Sequence, residues 1–176
     1  MLLATTGLRR GEALGLRWSD IDLDAGRAHV TQTMIAIGWQ VYVGHPKTQA
    51  GRRPVALDPL TLEVLRRHRQ HSAKISSSGA AAAGLVFCGP GGEALHPERV
   101  YQAFRRAVLR HKLPTIPLHG LRHTWATIAL QTGIHPRVVQ ERLGHSNIAI
   151  TLQTYSHVLP TMHDDAAASV AALFMP

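Results

Sequence analysis

The sequence predicts a mostly helical α+β domain with a small three-stranded antiparallel sheet. Val, Thr, Ile and aromatic residues concentrate in one window, about 27–57, which is typical of strands. Elsewhere apolar residues recur at helical spacing. With 176 residues, 45% of them hydrophobic, the chain is long enough to bury the core of one domain.

The first third of the chain contains one predicted helix and all the strands of the predicted sheet. Residues 1–17 are predicted to be helical, and a Ser- and Asp-rich turn follows them. Residues 27–43 predict two strands joined near Gly38, and residues 54–57 predict the third. Lys47 lies in the polar turn that precedes this third strand, where its side chain can point away from the core.

The rest of the chain is predicted to be helical apart from a short strand at 85–88 and a Ser/Ala/Gly-rich loop before it. Prolines that start helices and glycines that end them mark the boundaries. The predicted helices are about 59–73, one that starts at Pro97, one that ends at Gly133, one from Pro136 to Leu143, one capped by Ser146 or Asn147, and one at about 162–174.

The composition favours a polyanionic partner and excludes several classes of protein. The formal charge is +8 and the sequence pI is about 10.8, a balance suited to nucleic acid. A single cysteine, Cys88, excludes an intramolecular disulfide and fits a reducing compartment. The 12 histidines follow no metal-binding pattern, so we expect no metal. No stretch reaches the ~18 apolar residues of a membrane span.

Four polar residues near the end of the chain point to chemistry on an anion. His119 and Arg122 are three positions apart and share one face of a helix. His145 follows in the sequence Leu-Gly-His, and Tyr155 comes 10 positions later. Two histidines and an arginine can bind a phosphate, and a tyrosine beside them can attack it. On the same helix Leu121, Trp125, Ile128 and Ala129 are predicted to face the core.

These motifs resemble those of the tyrosine recombinases, the phage integrase family, whose catalytic domain carries H-x-x-R, then L-G-H, then a tyrosine. The N-terminal family motif T-G-L-R-x-x-E is similar to residues 6–12, and a lysine on a β-hairpin corresponds to Lys47 in His-Pro-Lys-Thr. The resemblance covers nearly the whole chain in order. It implies the fold of the integrase catalytic core, with the three-stranded sheet predicted above.

The resemblance implies how the site binds a phosphate. Arg9 and Arg122 would hold the non-bridging oxygens, because a guanidinium forks onto two oxygens at once. Glu12, one helical turn after Arg9, would orient that arginine. His145 would donate a hydrogen bond to a phosphate oxygen.

The resemblance also assigns the proton transfers and the nucleophile. Tyr155 would attack the phosphate, although its spacing from Ile148 and Leu152 also fits a core position. His119 would help to take the tyrosine proton and contact the phosphate. Lys47 would protonate the departing 5′ oxygen, an assignment for which Arg52 or Arg53 is the alternative. His123 and His157 match no catalytic position of the family and are left out.

Taken together, these assignments predict a site-specific DNA recombinase, or integrase, that cuts and rejoins strands through a 3′-phosphotyrosine, without metal, ATP or another cofactor. Arg10, Arg52 and Arg53 are expected to contact DNA. A truncated, non-catalytic DNA-binding remnant of an integrase is the alternative; a type IB topoisomerase would not need the histidine motifs in this form. The expected setting is the cytoplasm and nucleoid of a prokaryote, from a phage or another mobile element.

The expected partners are double-stranded DNA and further copies of the same chain. We expect residues 1–176 to be a single catalytic domain that lacks the family's N-terminal clamp domain. The helix at about 162–174 is expected to dock on a neighbouring copy, giving a tetramer on DNA and a monomer off DNA.

Overall fold

The computed structural model describes residues 1–46, 48–75, 84–155, 170–172 and 174, with the side chains of 73–75 excepted. It confirms the α+β class and the excess of helix over strand. The helices are α1 Leu2–Thr6, α2 Arg10–Gly15, α3 Pro59–Ile75, α4 Pro97–Arg110, α5 Gly120–Gln131, α6 Pro136–Leu143 and α7 Ile148–Thr154. The strands are β1 Ile21–Asp22, β2 Arg27–Val30, β3 Thr33–Ile37, β4 Gln40–Gly44 and β5 Arg53–Ala56.

The N-terminal segment forms two short helices, so the prediction of one helix over 1–17 is wrong. The break is at Gly7, whose φ of 69° lies in the left-handed region that favours glycine. Leu8 follows and is buried in the core, and Arg9 is the N-cap residue of α2. The turn therefore sends α2 in a new direction and places Arg9 at its start.

The β-rich window folds into two separate antiparallel units. A three-stranded sheet has the order β1-β2-β5, and β3 pairs with β4 as an independent hairpin. The number of strands in the sheet is as predicted, but the third partner is β1 and not the hairpin. After β2 the chain leaves the sheet, and the side-chain amide of Gln32 donates to the carbonyl of Gly15 at 2.9 Å, which ties this turn to the end of α2.

The helices of the second half lie close to their predicted positions. Prolines start α3, α4 and α6, and the side chain of Asn147 caps α7 by accepting from the amide of Ala149. The predicted strand at 85–88 is wrong: Leu85 and Cys88 each form one isolated β-bridge, with Arg17 and Ala94 respectively.

The core consists of three apolar clusters, of which two matter for the site. One joins α1 and α2 to the three-stranded sheet, and the second packs α5 against α6 and α7. The prediction for the core face of α5 is partly wrong. Ala129 is buried and Trp125 packs against this cluster as predicted, but Ile128 is 54% exposed, and Ala126 and Leu130 complete the buried side. None of the helices in the described part of the chain is long and apolar enough to cross a membrane. The helix predicted at about 162–174 falls mostly outside the described residues.

Candidate active site

The first part of the site is the carboxylate of Glu12, which is 4% exposed and holds two arginines from different elements. Its Oε1 lies 2.8 Å from Nη1 of Arg9, and its Oε2 accepts from the backbone amide of Arg9 at 2.9 Å. Arg53 on β5 donates to both oxygens, at 3.2 and 3.0 Å. Burial would raise the pKa of Glu12, but the hydrogen bonds and charge of Arg53, with those of Arg9, hold it below its usual range.

Arg53 does not occupy the position expected of a DNA-contacting residue. Its side chain is 6% exposed and is bound to Glu12, to the carbonyl of Arg142 and to the carbonyl of Gly51. The strand alternates, so Arg53 shares the inward face with buried Val55. Its role in this structure is to fix the carboxylate that orients Arg9. Arg10 and Arg52, the other two residues expected to contact DNA, are exposed.

Arg122 is the innermost cation of the site, at 3% exposure. Its Nη1 donates to the carbonyl of Gly7 at 2.8 Å, and its Nη2 donates to the carbonyl of Leu143 at 2.6 Å. Nη1 of Arg9 lies 3.4 Å from the same Leu143 oxygen. The two predicted clamp arginines thus meet at one carbonyl oxygen, which both guanidinium groups contact. Burial, and next the charge of Arg9, lowers the pKa of Arg122 to about 10, so it remains charged at neutral pH.

His145 sits next to this carbonyl because α6 ends in a left-handed turn at Gly144. The φ of Gly144 is 67°, and a Cβ there would lie 2.5 Å from Nη1 of Arg53. Nδ1 of His145 is 2.8 Å from the hydroxyl of Thr151 on α7. Burial, and next the charges of Arg122 and Arg9, lowers the pKa of His145 to about 4, so the imidazole is neutral at pH 7.

A surface cavity of about 480 Å³ opens beside these groups. Arg9, Glu12 and His145 line it, so both charge and hydrogen-bond donors face a ligand of phosphate size. The walls are completed by Thr33, Ile35, His45, Pro46, Thr48, Gly51, Gly144, Ser146 and Ile150. Lys47 lies outside the described residues, but His45, Pro46 and Thr48 around it all belong to this lining.

Tyr155 does not line that cavity. It follows α7, is 2% exposed and packs in the cluster formed by α5 and α6. Burial raises the pKa of Tyr155, against a smaller lowering by Arg122, so the phenol is protonated in this state. Its hydroxyl lies 3.0 Å from Nδ1 of His123, a residue that the sequence motifs did not assign.

His119 is the N-cap residue of α5, and its ring stands edge-on to that of His123 with centroids 4.9 Å apart. Burial, followed by the charges of His123, Arg122 and Arg9, lowers the pKa of His119. His123 follows the N-cap residue His119 by four positions, which is about one helical turn. This spacing is the sequence signal that could have placed His123 beside the site.

The sequence matches the model of the phage integrase family over residues 1–162. It is 29% identical over 190 aligned positions to a "tyrosine recombinase XerC-like" protein of Caldanaerobacter subterraneus, covering 99% of this chain and 49% of that protein. It is 30% identical to the integrase of Mycobacterium phage L5, over 82% of this chain and 39% of the relative.

Among solved structures, the integrase of transposon Tn1549 bound to circular intermediate DNA superposes with a TM-score of 0.79 at 27% identity. That match covers 98% of this chain and 56% of the other. XerA recombinase, at 21% identity and a TM-score of 0.73 over 94% of this chain and 55% of the other, shares the fold. The chain spans about half the length of the first curated relatives that it matches.

Proposed function

Because this chain belongs to the phage integrase family, we propose that it is the catalytic domain of a site-specific DNA recombinase. The observation that carries the proposal is the meeting of Arg9 and Arg122 at the carbonyl of Leu143, beside His145 and the cavity. Two guanidinium groups and a neutral imidazole around one point form a binding site for a phosphodiester.

In the proposed reaction, the hydroxyl oxygen of Tyr155 attacks the phosphorus and forms a 3′-phosphotyrosine bond. The bond from phosphorus to the 5′ oxygen breaks, and that oxygen leaves with a proton. Lys47 is proposed as the donor of this proton, on the strength of its family motif and its place between residues that line the cavity. The phosphate ester bond is exchanged and not lost, so the reverse attack by a 5′ hydroxyl rejoins the strand without ATP.

The remaining groups act on the charge that the phosphate develops. Arg9 and Arg122 stabilise the equatorial oxygens, and in a preorganised site each contact contributes about 3 kcal/mol to lowering the barrier. Glu12 and Arg53 fix the guanidinium of Arg9. When the Thr151 hydroxyl donates to Nδ1 of His145, the imidazole carries its proton on Nε2 and can donate it to a phosphate oxygen.

The proposed substrate is double-stranded DNA, and α4 offers a second region for its backbone. Arg99, Arg106 and Arg110 are exposed and lie on one stripe of α4, opposite the side that buries Val108. None of the three forms an ion pair with a described residue. We expect binding to weaken steeply between about 50 and 200 mM salt, and R106Q/R110Q to reduce the slope of affinity against salt by about two counterions. An unchanged slope would remove α4 from the interface.

Higher-order assembly on DNA and a place in the prokaryotic nucleoid belong to the same proposal. The support is the family membership and the related solved structures in which recombinases are bound to DNA. Docking of the segment at about 162–174 on a neighbouring copy is proposed as the contact that joins protomers. Deleting residues 161–176 should then leave binding to a single site intact and abolish complexes on two-site DNA.

The test is covalent trapping on nicked DNA. A pool of duplexes with a randomised central segment and one nick is incubated with the chain. Cleavage near the nick releases a short fragment, so the strand cannot be rejoined and the covalent adduct accumulates. Adducts are isolated under denaturing conditions, and their DNA is sequenced to identify a cleaved duplex. We expect adducts with the wild-type chain and none with Y155F. DNA binding without any adduct would support a non-catalytic DNA-binding module instead.

A further inference from the structure

The hydroxyl of Tyr155 already has a hydrogen-bond partner, the exposed side chain of His123. Tyr155 is 2% exposed and its ring packs among Ala126, Leu130 and Val139. Nδ1 of His123 lies 3.0 Å from the phenolic oxygen, and the two ring centroids are 5.9 Å apart. His123 itself is exposed. Among the described residues, the ring of Tyr155 therefore has apolar neighbours, and its hydroxyl has one hydrogen-bond partner, the imidazole of His123.

On the basis of the proposed function, we propose that His123 is the catalytic residue that accepts the proton of Tyr155. When the phenolic oxygen bonds to phosphorus, its proton passes to Nδ1 of His123, and the bond from phosphorus to the 5′ oxygen breaks. The 5′ oxygen takes its proton from the general acid, which is the ammonium of Lys47 in the proposed reaction. The imidazolium then returns its proton to water.

The position of His123 suits this transfer better than that of the other two histidines. Burial, followed by the charges of Arg122 and Arg9, lowers the pKa of half-buried His145, and desolvation, followed by the charge of His123, lowers the pKa of His119. Such an imidazole is a poor proton acceptor at neutral pH. Nδ1 of His123 lies at hydrogen-bond distance from the phenolic oxygen, and its exposed ring can pass a proton to water without creating a buried charge.

The hydrogen bond exists before any DNA is bound, so the acceptor is preorganised. General-base catalysis requires the base to reach the proton at hydrogen-bond distance, about 2.6–3.2 Å between heavy atoms. His119 contacts the ring of His123 and has no hydrogen bond to the tyrosine among the described residues. The structure thus gives the tyrosine proton to a residue one helical turn beyond the histidine of the H-x-x-R motif.

The test compares H123N with H119N in single-turnover adduct formation on the duplex recovered from the randomised pool. Asparagine places its amide oxygen near the position of Nδ1 and accepts the same hydrogen bond, but it cannot take up a proton. We expect H123N to form adducts about 100-fold more slowly than wild type and to lose the acidic limb of the pH profile. H119N should retain that limb. Because His123 is exposed, both variants should fold, which circular dichroism checks.

An H123N variant that reacts at the wild-type rate would show that the hydrogen bond alone positions the tyrosine and would overturn the proposal. Loss of the acidic limb in H119N, with its retention in H123N, would also overturn it and return the proton to His119. The failure of the proposed function is distinguishable: there the wild-type chain itself yields no adduct, whereas here wild type reacts and H123N is unimpaired.

Discussion

The two halves of the candidate site are built in opposite ways. The arginine frame, which we define as Glu12 with Arg9, Arg53 and Arg122, joins α2, β5 and α5, and each arginine has at least two hydrogen-bond partners. The tyrosine end, which we define as α7 with Tyr155, is a seven-residue helix whose phenol is held by one exposed imidazole. The arginine frame is therefore held by charged hydrogen bonds, and the tyrosine end by apolar packing and a single hydrogen bond at the phenol.

This contrast suits the proposed chemistry. Binding groups gain most when they need no reorganisation at the moment of reaction. A tyrosine that is buried and protonated in the absence of DNA avoids attack at the wrong time, and here it is held by apolar packing and by the hydrogen bond to His123. The free energies of unfolding of matched variants test this difference between the two halves. The expected losses of stability decrease from the arginine frame to the tyrosine end.

The largest effect is expected for E12A. It leaves Arg53, at 6% exposure, without a counter-charge, and a buried unpaired charge costs about 3–5 kcal/mol. The free energy of unfolding in urea measures it. The control is E141A, which removes an ion pair with Arg137 that is exposed on both sides and should cost less than about 0.5 kcal/mol. Equal losses in the two variants would mean that the frame contributes no more than a surface pair.

A matched pair of glycines tests how tightly the frame is packed. Gly144 and Gly133 both have left-handed backbones, with φ of 67° and 81°, so alanine strains each by about 1 kcal/mol. At Gly144 the new methyl group would also lie 2.5 Å from Nη1 of Arg53 and 2.9 Å from the carbonyl oxygen of Ala50, whereas no atom lies within 4 Å of it at Gly133. We therefore expect G144A to lower the free energy of unfolding by about 2 kcal/mol more than G133A. A difference near zero would show that Arg53 and the backbone at Ala50 both move away from the methyl group at little cost.

The histidine between the two halves should make stability depend on pH. Free histidine titrates near 6.5, and the pKa of His145 is lowered to about 4, so between these values the unfolded chain binds more protons. The free energy of unfolding should therefore fall as pH drops from 7 to 5, by about 1 kcal/mol after allowance for partial exposure.

H145N should flatten this pH dependence. His119 contributes in the same direction and remains in the variant. The pKa of Glu12 starts from 4.5 and is lowered, so its contribution is lost only at more acid pH. Urea titrations of wild type and H145N at pH 7 and pH 5 measure this dependence. If the free energy of unfolding changes equally with pH in the two proteins, a group other than His145 is responsible.

The smallest effect is expected at the tyrosine end. Y155F removes one hydrogen bond to an exposed histidine and keeps the ring in its apolar cluster, so it should cost about 1 kcal/mol or less. Y42F, whose hydroxyl is on the exposed hairpin, is the control and should be neutral. A loss in Y155F as large as that in E12A would show that the nucleophile is as firmly built in as the frame.

The sequence carried enough information for the helices of the second half and for several residues that meet at the candidate site. Prolines, glycines and Asn147 mark helix ends locally, and the motifs name Arg9, Arg122 and His145. The break at Gly7 depends on a positive φ, and Leu143 and Trp125 pack where a Cβ of this residue would lie, at 3.0 and 3.1 Å. That packing is contributed by residues more than a hundred positions away.

Two residues were misjudged for different reasons. Arg53 was expected to contact DNA, yet the alternation of its strand places it on the inward face with Val55, where its side chain is 6% exposed. His123 was left out because it matches no family position, although it shares a helix turn with Arg122 and His119. Its contact with Tyr155 joins α5 to the residue after α7, and no local pattern reports a contact between two helices that are separated by a third.

The acceptors that hold the arginines have a consequence for how the site tolerates genetic variation. The carbonyls of Gly7, Gly51, Arg142 and Leu143 belong to the main chain, so every residue type supplies the same acceptor as long as the local backbone keeps its course. Genetic variation at these positions is therefore limited by what keeps the backbone in place and not by the identity of the acceptor. Gly7 and Gly144 are the least tolerant of these positions, because their left-handed angles lie at or next to two of the oxygens.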